Sequence, residues 1–522
     1  MRATWPRVLP VGDRAATVQL GLSLDEETVG RVRALDDRLR ERGVAGVEET
    51  VPAYAALLVV YDRSLLPFAE LERVLLDLCS DLRGTSGPGR RVEIPALYDG
   101  EDLDEVASAC GLSADAVIDL HVSREYRVMM LGFSPGFGYL GFVDERIRVP
   151  RRKTPRTRVP EGSIAIAGPQ TGVYPRSLPG GWNLLGRTSL RLFDASRANP
   201  STLMPGDRVR FVPTRTLTPP EPLAKFGYGG RGVRVLTPGI LTTIQDAGRR
   251  GLRRLAVPLA GWADPDSANV ANRNVGNPPG TPVIEICAPG LRLEFQQTTF
   301  LAISGASVTA NLERSDLGGE RMTVPVNVAV RVRPSNVLDV TSLEGGTRAY
   351  IAIAGLDAPG VLGSASTDSG SGFLRHLEAG DGFRVGPFDA DRVQRERSSV
   401  APRSSSVRVI LGPQQDHFDP RTIEIFFATT WRTGLDSDRV GARLDGVRLK
   451  HAGPTEIVSD GMVPGCIQVP PDGRPIVMLS DCPTTGGYPK IGCVVSEDLG
   501  LLAQAIPGQT SIRFSLTRIE DL

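Results

Sequence analysis

Four stretches of the chain set polar, proton-handling side chains among glycine and proline. The first is GFSPGFGYLG (Gly132–Gly141), followed by PRRKTPRTRVPEGSIAIAG (Pro150–Gly168), which supplies Arg156. The second, PQTGVYPRSLPGGWNLLGRT (Pro169–Thr188), supplies Gln170, Tyr174 and Trp182. The third, TPGILTTIQDAGRRGL (Thr237–Leu252), runs on through GWADPDSANVANRNVGN (Gly261–Asn277) and carries Gln245, Asp246, Arg249 and Asp264. The fourth comprises SDRVGARL (Ser437–Leu444), SDGMVPGCIQVPPDGRP (Ser459–Pro475) and LSDCPTTGGYP (Leu479–Pro489). It holds Asp438, Arg439, Arg443, Ser459, Gln468, Asp481, Thr484, Thr485 and Tyr488. Loops this rich in glycine let the backbone approach a ligand closely, and function concentrates on such loops. Taken singly, each stretch reads better as a set of turns than as a site.

The residue types suggest what such loops could do. Asp246, Asp264 and Asp481 can take up a proton, and arginine presents a planar fork of donors. Gln170 offers both a donor and an acceptor, and Trp182 a flat wall. His121, the first histidine in the chain, could serve as a base, or it could cap or pack the end of a short helix. Asp438 with Arg439 and Arg443 reads as an anion-binding group or as a structural ion pair. His417 and His451 read as surface residues.

Other chemistry is excluded by what is missing. The four lysines (Lys153, Lys225, Lys450, Lys490) sit in RRKT, LAKF, RLKH and YPKI, none of which is a P-loop or a biotin-carrying Met-Lys-Met. The serine-rich GSASTDSGSGF (Gly363–Phe373) has no lysine beside it, so it is not an amidase signature. A protein-kinase signature set is also missing. No cluster has metal-ligand spacing, so no metal is expected. The six cysteines are scattered without a C-x-x-C pair, which reads as reduced thiols in a cytoplasmic protein.

The elements that must position these loops can be read from pattern. With 522 residues the chain should hold about three to five domains. Lysine plus arginine and aspartate plus glutamate both come to 60, so no basic excess marks a nucleic-acid binder. The longest apolar run, Ala55–Tyr61, is far short of the roughly 20 residues a membrane span needs, and the N-terminal stretch lacks a signal-peptide core. Glycine (58) and proline (41) point to many short strands and turns. Residues 15–22 alternate towards a strand, and Ala55–Tyr61 has the pattern of a buried strand. Ser23-Leu24-Asp25-Glu26 matches a capping box for a helix with Val29, Val32, Leu35 and Leu39 on its apolar face, ended by Gly43. Phe68, Leu71, Leu75, Leu78 and Leu82 form a second stripe. GTSGPGRR (Gly84–Arg91) is a linker by composition; two short helices near 101–109 and 113–121 then lead into a strand at Tyr126–Leu131. The texture to Phe211 is that of a barrel or sandwich. Residues 212–231 are the strongest linker. A strand restarts at Val233–Leu236, alternating strands dominate 283–355, RVQRERSSVAPRSSS (Arg392–Ser406) marks a boundary, and a helical pattern spans Ser496–Ile506.

Together, GFSPGFGYLG, YPRSLPGGWNLLGRT, TTIQDAGRRG and TTGGYP resemble a known family over nearly the whole chain. The first two stretches resemble the carboxyltransferase C–D region of the KipI-type subunit of bacterial 5-oxoprolinase. The third and fourth resemble the A–B region of its KipA-type partner. Both regions also occur in urea carboxylase and urea amidolyase, and are often labelled allophanate hydrolase subunits 1 and 2. The resemblance implies a mainly β fold: a small N-terminal α+β domain plus tandem cyclophilin-like β-barrels. The composition breaks divide the chain into 1–88, 89–222, 223–400 and 401–522, two halves hinged near residue 222, which the resemblance reads as two fused subunits. Fusion would hold the halves at a local concentration of about millimolar, with the functional cleft between them.

Such a cleft would need donors for the carbonyl oxygen of an amide, lactam or ureido group and an acceptor or base for its N–H. The residues expected to do this are Asp246, Asp264, Asp481 and His121 in proton transfer. Arg156, Gln170, Tyr174, Trp182, Gln245, Arg249, Asp438, Arg439, Arg443, Gln468, Thr484, Thr485 and Tyr488 are expected to bind substrate. The resemblance implies a component of an ATP-dependent 5-oxoprolinase, opening a lactam to glutamate with a separate A-type subunit and ATP. An alternative is the carboxyltransferase component of a biotin-dependent enzyme acting on urea or a related amide, with carboxybiotin arriving from a biotin carboxylase and carrier. A third is a KipI-like regulator of a sensor histidine kinase. A homo-oligomer is compatible with each; nucleic acid and membrane are not expected partners. Two stretches depart from the A–B pattern: AIAGLDAPG (Ala352–Gly360) lacks its glycine pair, and SGSGFLRHLEAGD (Ser369–Asp381) replaces a Gly-Gly-x-x-Gly-Arg run.

Overall fold

A computed structural model describes residues 5–82, 89–223, 226–394, 396, 398 and 406–522. The linker expected at 84–91 and the boundary at 392–406 lie largely outside the described residues. The fold is mainly β, built on four large sheets with short helices against them.

The first sheet is antiparallel, in the order Arg7–Pro10, Ala15–Gln19, Ala56–Tyr61, Val47–Pro52. Its two central strands are buried along their whole length. One face carries Ala16, Val18, Leu57, Val59 and Tyr61 against the helices Glu26–Arg42 and Phe68–Cys79. The opposite face, Val11, Ala15, Val51, Leu58 and Val60, packs on Met462, Val463, Cys466, Met478, Cys482 and Cys493. A strand alternates apolar and polar residues only when one face is wet, so two buried faces explain the continuous apolar run ALLVVY. The capping box is corrected in one detail. The N-cap is Asp25, whose carboxylate accepts from Thr28 N at 2.7 Å, and Ser23 Oγ donates to that carboxylate at 2.7 Å. Asp25 is the better cap here because its charged side chain faces the positive end of the helix dipole. Gly43 ends the helix in the left-handed conformation (φ 60°), a position that suits a residue without Cβ.

The second sheet has seven strands, ordered Asn183–Arg187, Ser163–Ala167, Gln170–Val173, Gly138–Leu140, Tyr126–Leu131, Arg208–Pro213, Arg91–Ala96. Helices Leu103–Cys110 and Ala114–Val122 pack on it. Between Pro213 and Gly232 the described residues form no helix or strand beyond one bridge, Gly229 to Gly382. The third sheet is centred on the long pair Thr299–Arg314 and Val337–Ile353. The fourth, of eight strands, includes Gly441–Asp445, Cys466–Gln468 and Lys490–Val494. In place of one helix over Ser496–Ile506 there is a 3-10 turn, Ser496–Asp498, then a short helix, Leu499–Ala503.

The two halves are more intimately joined than a hinge would suggest. One apolar core runs from Ile94 through Leu192, Leu203 and Phe211 to Val233, Phe373 and Phe383. Arg253 of the third sheet's region pairs with Glu49 of the first at 3.0 Å, both side chains being buried. Fully buried Lys490 pairs with Asp460 at 2.9 Å, and Asp460 also accepts from Thr17 at 3.5 Å. No described helix is long and apolar enough to cross a membrane.

Candidate functional site

The glycine-rich stretches converge where the halves meet. The loop between Tyr126–Leu131 and Gly138–Leu140 turns through left-handed backbone at Phe133 (φ 66°) and Gly136 (φ 82°). At its start the loop touches the second half: a Cβ on Gly132 would lie 2.4 Å from Thr485 Oγ1. Further on, a Cβ on Gly136 would lie 2.8 Å from that of Phe193. Phe193 packs on Phe373 (5.9 Å between centroids), and the Arg249 guanidinium lies over the Phe373 ring at 5.0 Å. Thus the loop touches the TTGGYP segment directly and is linked to the turn after Asp368 through Phe193. Glycine is required at Gly132 for this approach, and Phe133 accepts backbone strain of order 1 kcal/mol to make it.

Beneath this loop lie charged groups held away from water. Arg249 is 1% exposed. Its Nε donates to Val361 O (3.2 Å) and its Nη2 to Ser366 O (2.5 Å), while Nη1 has no partner among the described residues. Burial lowers its pKa, with the charges of Asp368, Asp246 and Asp481 pulling the other way. Asp368 is buried; Oδ1 accepts from Ser371 N at 3.0 Å, and Oδ2 is likewise unpartnered among the described residues. Asp481 receives both ends of the Arg439 fork, at 2.8 and 2.9 Å. Burial pushes its carboxyl up and Arg439 draws it back. Arg439 donates also to Glu285 (2.5 Å) and Gly261 O (2.6 Å). Its own burial acts to lower its pKa, but the Asp481 and Glu285 charges prevail and hold it well above the usual value. Buried polar atoms are almost always paired, so each one left without a protein partner marks a place for a water or a ligand atom. Ser134 Oγ, Gln245 Oε1, Gln468 Nε2, Ser480 Oγ and Thr484 Oγ1 share that state with Arg249 and Asp368, all within or beside the four stretches.

The expected residues separate into those near this junction and those with structural duties elsewhere. Arg249, Arg439, Asp481, Thr484 and Thr485 form its second-half side, with Gln245 and Gln468 buried beside it. Gln170 donates to Tyr54 Oη, and Tyr54 packs edge-on to Tyr139 at 5.8 Å. Trp182 and Tyr174 pack with Phe137, supporting the loop from behind. Asp246 accepts from Ser364 Oγ, Ala365 N, Ser366 Oγ and Gly248 N at 2.5–2.9 Å, which leaves it a loop-tying carboxylate rather than a base. Asp264 caps the helix Pro265–Asn274 and accepts from Gln504 at 2.9 Å. Arg156 is bound to Asp102 at 2.7 Å. Asp438 caps a turn through Val440 N and Gly441 N, and Arg443 donates to Asp436 O, so neither joins Arg439 in an anion site. His121 is buried between Tyr98 Oη (2.7 Å) and Thr171 Oγ1 (2.8 Å), and burial depresses its pKa to about 3. That is a packing position. Tyr488 and Ser459 are half-buried, and so are His417 and His451, in place of the surface positions expected for both histidines.

Asp368, Ser134, Arg176 and Glu285 do not stand out in the sequence. Ser134 lies inside the first glycine-rich stretch, and Asp368 inside the serine-rich GSASTDSGSGF. Glu285, in the buried strand Val283–Ile286, gives no local signal because its partners, Arg348 and Arg439, are distant in sequence.

A two-lobed β protein with a polar junction roofed by glycine-rich loops defines the class, and the chain belongs to the carboxyltransferase-domain family. Residues 6–203 match the carboxyltransferase domain, subdomain C and D, and residues 255–516 match subdomain A and B. Among relatives, the B-type subunit of 5-oxoprolinase from Bacillus subtilis (strain 168) is 41% identical over 216 residues, covering 39% of this chain and 90% of that protein. The C-type subunit of 5-oxoprolinase from Escherichia coli (strain K12) is 34% identical over 295 residues, covering 55% of this chain and 92% of that protein. The crystal structure of TTHA0988 in space group P212121 superposes with a TM-score of 0.86 at 36% identity, over 96% of this chain and 99% of that one.

Proposed function

We propose that this chain is a fused B-type and C-type component of an ATP-dependent 5-oxoprolinase, binding 5-oxoproline at the junction and opening it to glutamate together with a separate A-type subunit. The observation that carries the reading is the pairing of one buried, unpartnered donor with one buried, unpartnered acceptor. Arg249 Nη1 suits the lactam carbonyl oxygen, and Asp368 Oδ2 suits the ring N–H. In a site shielded from water, a preorganised cationic donor favours the charge that develops on that oxygen when the carbonyl is attacked. Asp481, tethered by Arg439, holds the Asp481–Thr485 segment in place, and the Gly132–Phe137 loop excludes water from above.

None of the described lysines stands free at the junction to hold a triphosphate. Lys490 is spent on Asp460, and Lys153 and Lys450 are exposed outside the junction. Nucleotide chemistry is therefore assigned to the A-type partner. The test is to combine the purified chain with that partner and measure glutamate released from 5-oxoproline with and without ATP. ATP-dependent release supports the reading. Absence of release, together with biotin-dependent carboxylation of urea when a biotin carboxylase and carrier are supplied, would replace it with carboxyl transfer.

A further inference from the structure

Behind the Asp368–Phe373 turn, on the first-half side, lies a cavity of about 320 Å³ whose wall includes Pro135, Arg176, Ser177, Phe193, Gly372 and Phe373. It sits on the seam between the halves and shares Phe373 with the Arg249 side of the junction. Arg176 comes from the YPRS part of the second stretch and is half-buried. It donates to Gly370 O, and no carboxylate lies within ion-pair distance of it among the described residues. Gly372, with φ 78°, lets it pack closely: a Cβ there would lie 3.2 Å from the guanidinium. The two acidic residues on the same wall are otherwise disposed. Asp194 is held by Ser196 N (3.0 Å), Ser196 Oγ (2.6 Å) and Arg197 (3.4 Å), and Glu161 is exposed at the rim.

Arg249, too, has only carbonyl partners, and the charge of Asp368 bears on both arginines. Buried Arg249 and half-buried Arg176 thus flank one turn, and Asp368 is a carboxylate whose charge acts on both, with exposed Glu161 acting on Arg176 as well. A partly desolvated cation with no ion-paired carboxylate is costly to keep charged, and an anionic ligand relieves that cost. We propose that Arg176 selects a substrate that carries a carboxylate, taking that group at the 320 Å³ cavity through a forked, charge-assisted hydrogen bond. This rests on the lactam reading above and deepens it: 5-oxoproline has a carboxylate, whereas urea and a simple lactam do not. Arg176 is a specificity-determining residue, distinct from the group that polarises the reacting carbonyl.

The experiment is a binding measurement, so that it does not depend on turnover. Titration calorimetry follows 5-oxoproline and its uncharged analogue 2-pyrrolidinone against the complex of chain and partner, for the native protein, Arg176→Gln and Arg176→Lys. The native protein is expected to prefer the acid at least about tenfold, the size of a charge-assisted hydrogen bond. Arg176→Gln should abolish that preference while leaving the analogue's affinity unchanged, and Arg176→Lys should restore part of it. An equal preference in native protein and Arg176→Gln overturns the proposal, as does absence of any preference in the native protein. If the native complex releases glutamate and the variant keeps its KM, the role of Arg176 fails while the lactam reading stands. If the acid is preferred through Arg176 but no glutamate is ever formed, the hydrolytic reading fails and the carboxylate site stands.

Discussion

Replacing Gly132 by alanine tests whether the two halves make one site. The added Cβ would fall 2.4 Å from Thr485 Oγ1, whereas ordinary contact begins near 3.4 Å, so the loop and the TTGGYP segment must separate by about 1 Å. The second neighbour, Met130 Cε at 2.8 Å, is the tip of a flexible side chain and yields at little cost. Overpacking of this kind costs about 1–3 kcal/mol of stability, and a 1 Å misplacement of site groups can cost about 10²-fold in rate. Gly132→Ala should therefore lower kcat/KM for glutamate release by about 10²-fold, with a urea midpoint reduced by no more than that strain implies. Thr485→Ala removes the obstructing oxygen, so the double variant should recover much of the loss. The assay is a double-mutant cycle on kcat/KM, with urea unfolding as the control for folding. Full activity in Gly132→Ala, or an equal loss in the Thr485→Ala background, would refute the idea that these loops close a shared site.

Three further outcomes follow from the same geometry. Asp368→Asn keeps the Ser371 bond at Oδ1 but exchanges the free acceptor for a donor, and should reduce kcat/KM by more than about 10²-fold with little change in unfolding midpoint. Arg439→Met leaves Asp481 and Glu285 buried beside each other without their shared partner, and should destabilise the chain by about 3–5 kcal/mol in urea titrations. His121 is neutral when folded, with its pKa depressed from 6.5 to about 3, so its contribution is intact above pH 6.5 and lost as the pH falls towards 3. Stability should fall by about 2 kcal/mol between pH 7 and pH 5 on this account, and His121→Gln should flatten that slope without altering the pH profile of kcat/KM.

Signals were legible in the sequence wherever they were local in origin. The strand Tyr126–Leu131 and the Gly43 helix stop follow from periodicity and backbone chemistry alone. The four glycine-rich stretches announce themselves because close backbone approach leaves a compositional trace. What stays illegible is the duty of each polar residue within them. Asp246 and Asp481 look alike in sequence, each beside glycine- or threonine-rich turns. Yet one is saturated by four donors from its own half, and the other is gripped by an arginine that it shares with a second carboxylate. That difference is set by residues far along the chain, Ser364 and Ser366 in one case and Arg439 in the other. Arg156 misleads for the same reason, since its partner Asp102 belongs to a preceding helix start.

The double-sided burial of the first sheet has a consequence for biosynthesis. One face is covered by helices Glu26–Arg42 and Phe68–Cys79, which lie within a few tens of residues of its strands. The other face waits for Met462 to Cys493. At about 5–20 residues per second, roughly 20–90 seconds separate synthesis of Val60 from that of Cys493. Throughout that interval Val11, Ala15, Val51, Leu58 and Val60 lack their native cover. An apolar face left that long without its native cover is a surface that a holding chaperone or the unfinished chain itself can shield.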